Sequence, residues 1–165
     1  MSNPSSLLAS EELKGPWKLL FQKGRGAPSE TEFQGLVSLT ESVDFGIRHF
    51  SGTVTYKTAF TFHPSRGRTL LELGDVKNIA HVYLNGKDCG TVWKEPWAAD
   101  VTHAIREGTN ELVIEVTNLW PNRIIGDLRP DCPQKVTYTH MKFYTPESPL
   151  LESGLIGPVK LTVYE

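Results

Sequence analysis

The sequence predicts an all-β fold, an antiparallel β-sandwich that contains one short helix. Three observations lead to this prediction. Several short segments alternate apolar and polar residues, the chain contains 14 glycines and 11 prolines, and one segment alone spaces its apolar residues as a helix does. Alternation with a period of two is typical of half-buried strands, and many short strands separated by turn residues favour a sandwich.

The amino-terminal half contains the clearest strand pattern. Residues 53–62, "TVTYKTAFTF", place alternating side chains on one face, namely Val54, Tyr56, Thr58, Phe60 and Phe62. Upstream, Trp17, Leu19 and Phe21 in "PWKLLF" alternate in the same way and indicate a first strand. Successive side chains of a strand point to opposite faces, so each segment is expected to present one face to a hydrophobic core.

The carboxy-terminal half predicts a hairpin, a short helix and two further strands. Asn85-Gly86 lies between two apolar runs, which is the strongest short-range signal for a hairpin turn. Within residues 100–110, Asp100 is suited to cap a helix and Gly108 to end it. Alternating residues predict the last strands in "ELVIEVTN" at 111–118 and in "GPVKLTVYE" at 157–165.

The length and composition fit a single domain. A chain of 165 residues, of which 39% are hydrophobic, can bury a core without disulfides or metals. The first residues are mostly small and polar, so residues 1–14 are predicted to be a flexible amino terminus. Residues 15–165 are predicted to form the one β-sandwich domain.

Charge and targeting signals limit the expected partners. A net charge of -2 provides no cationic field for a phosphate backbone, so nucleic acid is not an expected partner. No apolar stretch reaches the ~20 residues that cross a bilayer, and the amino terminus lacks the features of a signal peptide, so no membrane partner is expected. Cys89 and Cys132 lack zinc-site spacing, and two free thiols are favoured over a disulfide, although pairing stays open.

Several motifs taken together resemble a known family. Six short motifs are similar to those of the galactose-binding-like β-sandwich domains that accompany glycoside hydrolases: Ser51-Gly52, the spacing from Tyr56 to Phe60, Leu84-Asn85-Gly86, Trp93-x-x-Pro96, Asp100-Val101-Thr102 and Gly108-x-Asn110. More narrowly, the sequence resembles the carboxy-terminal jelly roll of the family 106 α-L-rhamnosidases and their family 2-like relatives in "TNLWPNRIIGD" at 117–127 and "MKFYTPESPLLESGLIGPVKL" at 141–161.

This resemblance covers about residues 15–165 and implies a jelly-roll sandwich. In those relatives the domain is one part of a far larger, usually secreted or periplasmic, enzyme that degrades polysaccharides. The catalytic carboxylates of such an enzyme lie on a separate barrel, for which this chain has no room. The resemblance therefore implies an accessory module of a glycoside hydrolase rather than an enzyme.

Aromatic residues in loops are candidate platforms for a sugar ring. Carbohydrate recognition commonly uses a flat aromatic surface, together with planar polar groups that meet the sugar hydroxyls. The candidate rings are Trp93, Trp97, Trp120 and Tyr144. Trp93 and Trp120 continue apolar strands, so core packing is favoured for both. Trp97 follows Pro96 in a polar turn and is the first choice for an exposed ring.

Polar side chains suited to sugar hydroxyls follow Trp120. The candidates are Asn122, Arg123, Asp127 and Arg129. Arg123 and Asp127 are also predicted to pair across a tight turn and brace it, with Asn122 capping backbone groups. These two interpretations do not exclude each other. The segment is therefore predicted to be a braced loop whose outer rim, Asn122 and Arg123, is open to ligand.

Neither a catalytic acid pair nor a transition-metal site stands out. Glycosidic hydrolysis needs two carboxylates across one bond, one of them with a raised pKa. Asp100 is assigned to a helix start, and Arg123 beside Asp127 is expected to lower the pKa of that carboxyl. The five histidines are scattered, which disfavours a catalytic transition metal. No cofactor is required, but the resemblance leaves a structural calcium open, with Glu41 and Asp44 as candidate ligands.

Three hypotheses for the function follow. The leading one is a non-catalytic carbohydrate-binding domain for a plant-type polysaccharide or oligosaccharide, and the resemblance suggests rhamnose-containing pectic polysaccharide. The second is a structural module that packs on a catalytic glycoside hydrolase domain without binding sugar. The third is a small glycan hydrolase or lyase.

Overall fold

The structure is a computed structural model that describes residues 6–63, 66–140 and 142–165. The described residues form strands β1 (Leu7–Glu12), β2 (Trp17–Phe21), β3 (Glu30–Phe33), β4 (Thr53–Phe62), β5 (Arg68–Glu72), β6 (Asp75–Lys77), β7 (Ile79–Leu84), β8 (Lys87–Val92), β9 (Ala98–Asp100), β10 (Gly108–Thr117), β11 (Gly154–Gly157) and β12 (Lys160–Tyr164). They also form helices α1 (Phe45–Arg48) and α2 (Pro121–Leu128). Neither helix is long and apolar enough to span a bilayer.

Antiparallel sheets enclose the hydrophobic core. The six-stranded sheet has the order β3-β2-β4-β10-β7-β8, the four-stranded sheet has the order β1-β12-β5-β9, and β11 pairs with β6. Alternate side chains point inward, so Trp17, Tyr56, Leu71 and Ile114 are fully buried. Burial of each such side chain contributes about 1.5–3 kcal/mol. The predicted antiparallel jelly-roll sandwich, its strands at 17–21 and 53–62 and its last two strands are confirmed.

The amino terminus differs from the prediction. Residues Leu7–Glu12, expected to be flexible, form β1, which pairs with β12 from Leu7 opposite Tyr164 to Glu12 opposite Lys160. All six side chains of β1 are exposed, so backbone pairing and not a hydrophobic pattern defines this strand. Residues 1–5 lie outside the described residues, and the domain boundary at residue 15 stays a prediction.

The helix of one or two turns predicted at 100–108 is a single hydrogen-bonded turn and not a regular helix. The Val101 carbonyl accepts hydrogen bonds from the Ala104 and Ile105 amides, and the chain then turns into β10. The fully buried Asn110 closes this turn. Its side-chain amide donates to the Arg106 carbonyl at 2.8 Å, and its Oδ1 accepts from the Arg106 amide at 3.0 Å. These contacts fix the backbone at Arg106 in a turn, so the helix does not continue.

The hairpin at Asn85-Gly86 is confirmed. Both residues have positive φ angles, 54° and 76°, which a two-residue type I′ turn requires. The Asn85 side chain also donates to Asn110 Oδ1 at 2.8 Å and accepts from the Glu111 amide at 2.9 Å. The hairpin tip is therefore joined to the turn before β10.

One end of the sandwich carries most of the candidate site residues. In the six-stranded sheet, Thr117 lies opposite both Thr53 and Ile79, and Val92 lies opposite Ala80. The loops beyond these residues consequently leave the sheet at the same end. We call this the loop end, and define it as residues 22–29, 49–52, 93–97, 118–137 and 151–153.

The segment "TNLWPNRIIGD" is largely helix α2 and not the predicted loop. Pro121 occupies the first helical position, where its missing N–H costs no hydrogen bond. The helix places Arg123 and Asp127 on one face, and Arg123 Nη2 lies 2.7 Å from Asp127 Oδ1. The predicted ion pair is confirmed. Its side chains are only 1% and 6% exposed, and Asn122 is buried as well, so the predicted open rim is wrong.

Asp127 also fastens the chain that follows the helix. Its Oδ2 accepts hydrogen bonds from the Thr137 amide and hydroxyl, both at 2.6 Å, and from the Val136 amide at 3.1 Å. Burial raises the pKa of the Asp127 carboxyl, but the Thr137 hydrogen bonds and the Arg123 charge outweigh burial. The pKa therefore lies below its ordinary value of 3.8.

His49 packs beneath α2 as a buried side chain. Its ring lies 4.2 Å from the Phe45 ring, and its Nδ1 lies 2.9 Å from the Phe45 carbonyl, to which it donates. Gly126 is a glycine of necessity, because a Cβ there would lie 2.7 Å from the His49 side chain. Burial and then the Arg123 charge lower the pKa of His49 below 6.5, against the effect of the carbonyl contact.

We expect Asp127→Asn to lower the free energy of unfolding by about 3–5 kcal/mol, because the substitution leaves the Arg123 charge buried without its partner. Urea unfolding followed by tryptophan fluorescence measures this change. Asp131→Asn is the matched control, because Asp131 is 58% exposed and pairs with Arg129 at the surface. That control is expected to change stability little. Equal losses in the two variants would contradict a special role for the buried pair.

We also expect stability to fall on acidification. The folded-state pKa of His49 is lowered, so its contribution is complete above its ordinary pKa of 6.5 and is lost as the pH falls below that value. Asp127, also with a lowered pKa, adds a further loss below 3.8. Melting temperatures recorded from about pH 8 to about pH 2 cover both losses.

His49→Gln should flatten the upper part of this curve, whereas His63→Gln, at an exposed position, should not. Parallel curves for the wild type and His49→Gln would show that another group controls the acid sensitivity.

Candidate functional site

A polar pocket lies at the loop end beside the start of α2. It has a volume of about 260 Å³. Its lining residues are Lys77, Asn78, Asn118, Leu119, Pro121, Asn122, Leu151, Glu152 and Ser153. The pocket is therefore formed by three segments that are far apart in sequence: the end of β6, the start of α2 and the residues before β11.

Two amides in the wall of the polar pocket are occupied by the fold. Asn118 accepts from the Gly52 amide at 2.8 Å and donates to the Phe50 carbonyl at 2.8 Å. Asn122 donates to the Leu151 carbonyl at 2.7 Å and accepts from the Leu151 amide at 2.8 Å. Asn122, predicted to contact ligand, thus fixes the shape of the pocket through the backbone.

Three other polar groups in the polar pocket retain bonding capacity. The Asn78 side chain is partly buried and makes no hydrogen bond to any other described residue. Glu152 is 67% exposed, with its Oε2 3.9 Å from Lys77 Nζ. Lys77 Nζ lies 2.9 Å from Asp75, and this hydrogen bond raises the pKa of Lys77, so the ammonium stays protonated. An amide, a carboxylate and an ammonium therefore face one small space.

A second concave surface, the helix groove, lies against the same helix. Its volume is about 280 Å³, and its lining residues are Trp120, Ile124, Val136, Thr137, Tyr138 and Thr139. Trp120 is 46% exposed and Tyr138 is 84% exposed. The Arg25 guanidinium lies 4.6 Å from the centre of the Trp120 ring. The core-packing interpretation of Trp120 is therefore wrong.

A third concave surface, the sheet groove, crosses the outer face of the four-stranded sheet. Its volume is about 660 Å³, and its lining residues are Leu70, Glu72, Gly74, Glu95, Pro96, Trp97, Ala98 and Tyr164. Leu70 and Glu72 alternate along β5 with the buried Thr69 and Leu71, so they face away from the core. This groove contains the one residue, Trp97, that was the first choice for an exposed ring.

The remaining candidate rings lie in different surroundings from those predicted. Trp93 was expected in the core, but it is 62% exposed, with Lys94 Nζ 5.1 Å from its ring centre. Trp97 was expected to be exposed, but it is partly buried and packs against the core. Tyr144 is partly buried and lines none of the three surfaces. The alternation along a strand does not predict whether a residue just outside that strand is exposed. Trp93 directly follows β8 and Trp97 directly precedes β9.

The polar candidates also fail to converge. Arg123 and Asp127 lie inside the fold, and Arg129 pairs with Asp131 at 2.8 Å on the surface. Sequence reasoning missed Asn78, Glu152, Tyr138 and Tyr164, which line the three surfaces. No local pattern marks these residues, because folding brings them to the surfaces from separate segments.

The candidate calcium ligands serve other purposes or stand apart. Asp44 Oδ1 accepts from the Ile47 amide at 2.9 Å and caps α1, while the exposed Glu41 ends a 3-10 turn at Leu39–Glu41. Within the described parts of the chain, no group of three or more His, Cys, Asp or Glu residues is placed to hold a metal ion. Calcium at Glu41 and Asp44 thus stays a prediction, with a poor donor set.

Two acids considered for catalysis are held in their ionised form. Hydrogen bonds from Thr102, then the contact with Arg68, lower the pKa of Asp100 to about 2 against the effect of burial. The pKa of Asp127 is lowered as well. A general acid needs a raised pKa, so neither carboxyl suits that task.

Cys89 and Cys132 are free thiols, and Cys132 Sγ lies 3.7 Å from Asp127 Oδ1.

Comparison with known proteins places this architecture among glycoside hydrolases. Residues 44–140 match the family model of the glycosyl hydrolase 2 galactose-binding domain-like domain. A curated protein of Formosa agariphila that is named as a β-glucuronidase is 36% identical over 92% of this chain. The chain spans 15% of the length of that protein.

Solved structures give the same result. The rhamnosidase from Novosphingobium sp. PP1Y matches 98% of this chain with 41% identity and a TM-score of 0.90, and the chain covers 15% of it. A β-glucuronidase from Ruminococcus gnavus matches 99% of the chain with 18% identity and a TM-score of 0.66, which shows a shared fold. The family model covers more than half of the chain, so the protein belongs to the glycosyl hydrolase 2 galactose-binding domain-like family.

Proposed function

We propose that this chain is a non-catalytic carbohydrate-binding domain of a glycoside hydrolase and that its polar pocket holds one neutral sugar ring. The observation that carries this proposal is the set of three polar groups with remaining bonding capacity, on Lys77, Asn78 and Glu152, in a space of about 260 Å³. Sites for drug-sized ligands measure roughly 300–1,000 Å³, so a space of this size suits a single ring.

The three groups match the chemistry of a sugar. Each sugar hydroxyl both donates and accepts, so it can bond to the Asn78 amide in either sense, donate to Glu152 and accept from Lys77. Hydrogen bonds to charged groups contribute more than neutral ones, roughly 1.5–3 kcal/mol each. Leu119 and Leu151, exposed by 53% and 46%, offer apolar surface for the C–H groups of the ring.

The charges around the polar pocket favour a neutral sugar over a uronic acid. Lys77 provides one positive charge, whereas Asp75 and Glu152 provide two negative charges within 4 Å of it. The local balance is therefore negative and disfavours an anionic ligand. This agrees with a rhamnose-like or galactose-like sugar, although two of the similar proteins are named as β-glucuronidases.

The relatives supply the wider setting of the proposal. The chain spans 15% of the rhamnosidase and of the Formosa protein, so the activity of each whole protein belongs to far more chain than is present in this sequence. A plant-type polysaccharide as ligand, a catalytic domain as partner and a secreted or periplasmic location follow from this setting and are part of the proposal.

The first experiment titrates the 165-residue chain with L-rhamnose, D-galactose and D-glucuronate by ligand-observed NMR and calorimetry. We expect binding of a neutral sugar and no binding of D-glucuronate. Glu152→Gln and Asn78→Ala should each weaken binding about tenfold, because each removes a hydrogen-bonding partner. Glu147→Gln, at an exposed glutamate outside the pocket, is the control and should bind as the wild type does.

Loss of binding with a chelator would show that calcium is required. The absence of neutral-sugar binding by a folded chain would contradict the proposal, and so would unchanged affinity in both pocket variants.

A second candidate function is docking onto a catalytic domain of the same hydrolase. The helix groove favours it, because Trp120, Ile124, Val136 and Tyr138 form an apolar surface whose two rings are exposed by 46% and 84%. Aromatic side chains in a shallow apolar groove are typical anchors of protein interfaces. The partner is expected to be the rest of a hydrolase such as the rhamnosidase, of which the matched region is 15%.

The Novosphingobium rhamnosidase without its matched region is a suitable probe for this second function. We expect the chain to bind it, and we expect Tyr138→Ser combined with Trp120→Ser to weaken that binding at least tenfold. Trp93→Ser is the control, because Trp93 is also exposed, by 62%, but lines none of the three surfaces. Biolayer interferometry measures the affinities. Equal binding by all variants, or no binding by the wild type, would contradict docking through the helix groove.

A further inference from the structure

We propose that the sheet groove is a second carbohydrate site, one that takes an extended neutral glycan chain across the four-stranded sheet. It differs from the polar pocket in position, size and chemistry, so each site can be tested independently of the other. The groove measures about 660 Å³, against about 260 Å³ for the pocket, and therefore has room for more than one sugar ring.

Two aromatic residues line the groove from either side of β5 and at different points along it: Tyr164 lies opposite Arg68, and Trp97 precedes Ala98, which lies opposite Glu72. The strand order is β12-β5-β9, and Tyr164 belongs to β12 while Trp97 immediately precedes β9. Neighbouring strands are about 4.8 Å apart, so the two flanking strands are separated by roughly 10 Å. Leu70 of β5, at an intermediate point along the strand, also lines the groove. The lining thus combines two aromatic residues with an aliphatic side chain.

Both rings are held in place before any ligand arrives. The Trp97 carbonyl accepts a hydrogen bond from the Leu73 amide at 2.7 Å, and the indole packs against the core. The Tyr164 hydroxyl donates to Glu72 Oε1 at 3.4 Å. A pre-ordered aromatic surface loses little side-chain entropy on binding, which favours stacking against the apolar faces of sugar rings.

The polar groups of the groove are acceptors of hydrogen bonds from hydroxyls. Glu95 is exposed and makes no hydrogen bond or ion pair with any described residue, so its carboxylate is available. Glu72 keeps capacity beyond its contact with Tyr164, since a carboxylate has about four lone-pair sites. The two carboxylates flank the apolar strip and are expected to orient the glycan.

The charge of the groove selects the kind of glycan. Glu72 and Glu95 line it, and no Lys or Arg is among its described lining residues. A uronate or sulfate group would meet two negative charges, which Lys160, opposite Glu72, offsets only in part, since Arg68 is paired with Asp100. The ligand expected here is consequently a neutral oligosaccharide, and an acidic chain of the same length is expected to be rejected.

The test uses the 165-residue chain and a panel of neutral tetrasaccharides made of galactose, glucose, mannose or xylose units, with tetragalacturonate as the acidic counterpart. We expect a neutral tetrasaccharide to bind more tightly than its monosaccharide, and tetragalacturonate not to bind. Trp97→Ala should weaken tetrasaccharide binding at least fivefold. Trp93→Ala, from the same loop but outside the groove, should leave the binding unchanged.

Trp97 also packs against the core, so a variant that keeps the packing is needed. Glu95→Gln changes only an exposed carboxylate and should weaken tetrasaccharide binding at least threefold in a protein with unchanged melting temperature. Failure of every neutral tetrasaccharide to bind would overturn the proposal. Equal affinity of the wild type and Glu95→Gln, together with normal binding by a folded Trp97→Ala, would do so too.

The same titrations separate the two sites. If Glu152→Gln weakens monosaccharide binding while Glu95→Gln weakens only the tetrasaccharide, both sites exist. If Glu152→Gln abolishes binding of both ligands and Glu95→Gln changes neither, the sheet groove is not a site and the polar pocket accounts for all binding. If only Glu95→Gln has an effect, the sheet groove stands and the proposed monosaccharide pocket fails.

Discussion

The buried ion pair between Arg123 and Asp127 is the constraint on which the loop end depends. A buried charge is costly without a partner, and further hydrogen bonds lower that cost. Asp127 meets this requirement by pairing with Arg123 and by accepting from Thr137 and the Val136 amide. The pair therefore joins α2 to the following chain and fixes both walls of the helix groove.

The start of α2 is fixed by a second set of contacts, which explains the Ser51-Gly52 motif. The Ser51 hydroxyl accepts from the Arg123 amide at 3.2 Å and donates to the Leu119 carbonyl at 2.8 Å. The Gly52 amide donates to Asn118 at 2.8 Å. One turn before β4 thereby positions the helix and one wall of the polar pocket. Its role is structural, and it makes a pocket of defined shape possible.

Residues of the same type have different roles within the polar pocket: some stabilise the fold and others are free to bind a ligand. Asn118 and Asn122 have their amides occupied by backbone groups, whereas Asn78 has none. Likewise the carboxylate of Asp127 is saturated, while those of Glu95 and Glu152 remain available. Free hydrogen-bonding capacity, and not residue type, therefore distinguishes the groups that can bind a ligand from those that stabilise the fold. In both carbohydrate sites that we propose, the available carboxylates make the surroundings acidic and favour neutral sugars.

The sequence by itself determined the sandwich, its main strands, the Asn85-Gly86 hairpin and the pairing of Arg123 with Asp127. These features depend on periods and spacings that are local, such as alternation along β4 and the separation of four residues within α2. Only the tertiary structure decided that β1 is a strand, that residues 100–108 make a turn, and that Asn122 and Arg123 are buried. It alone also assembled Lys77, Asn78 and Glu152 into one pocket, and Trp97 and Tyr164 into one groove. The physical reason is that burial and convergence depend on contacts between distant segments, which a local pattern does not encode.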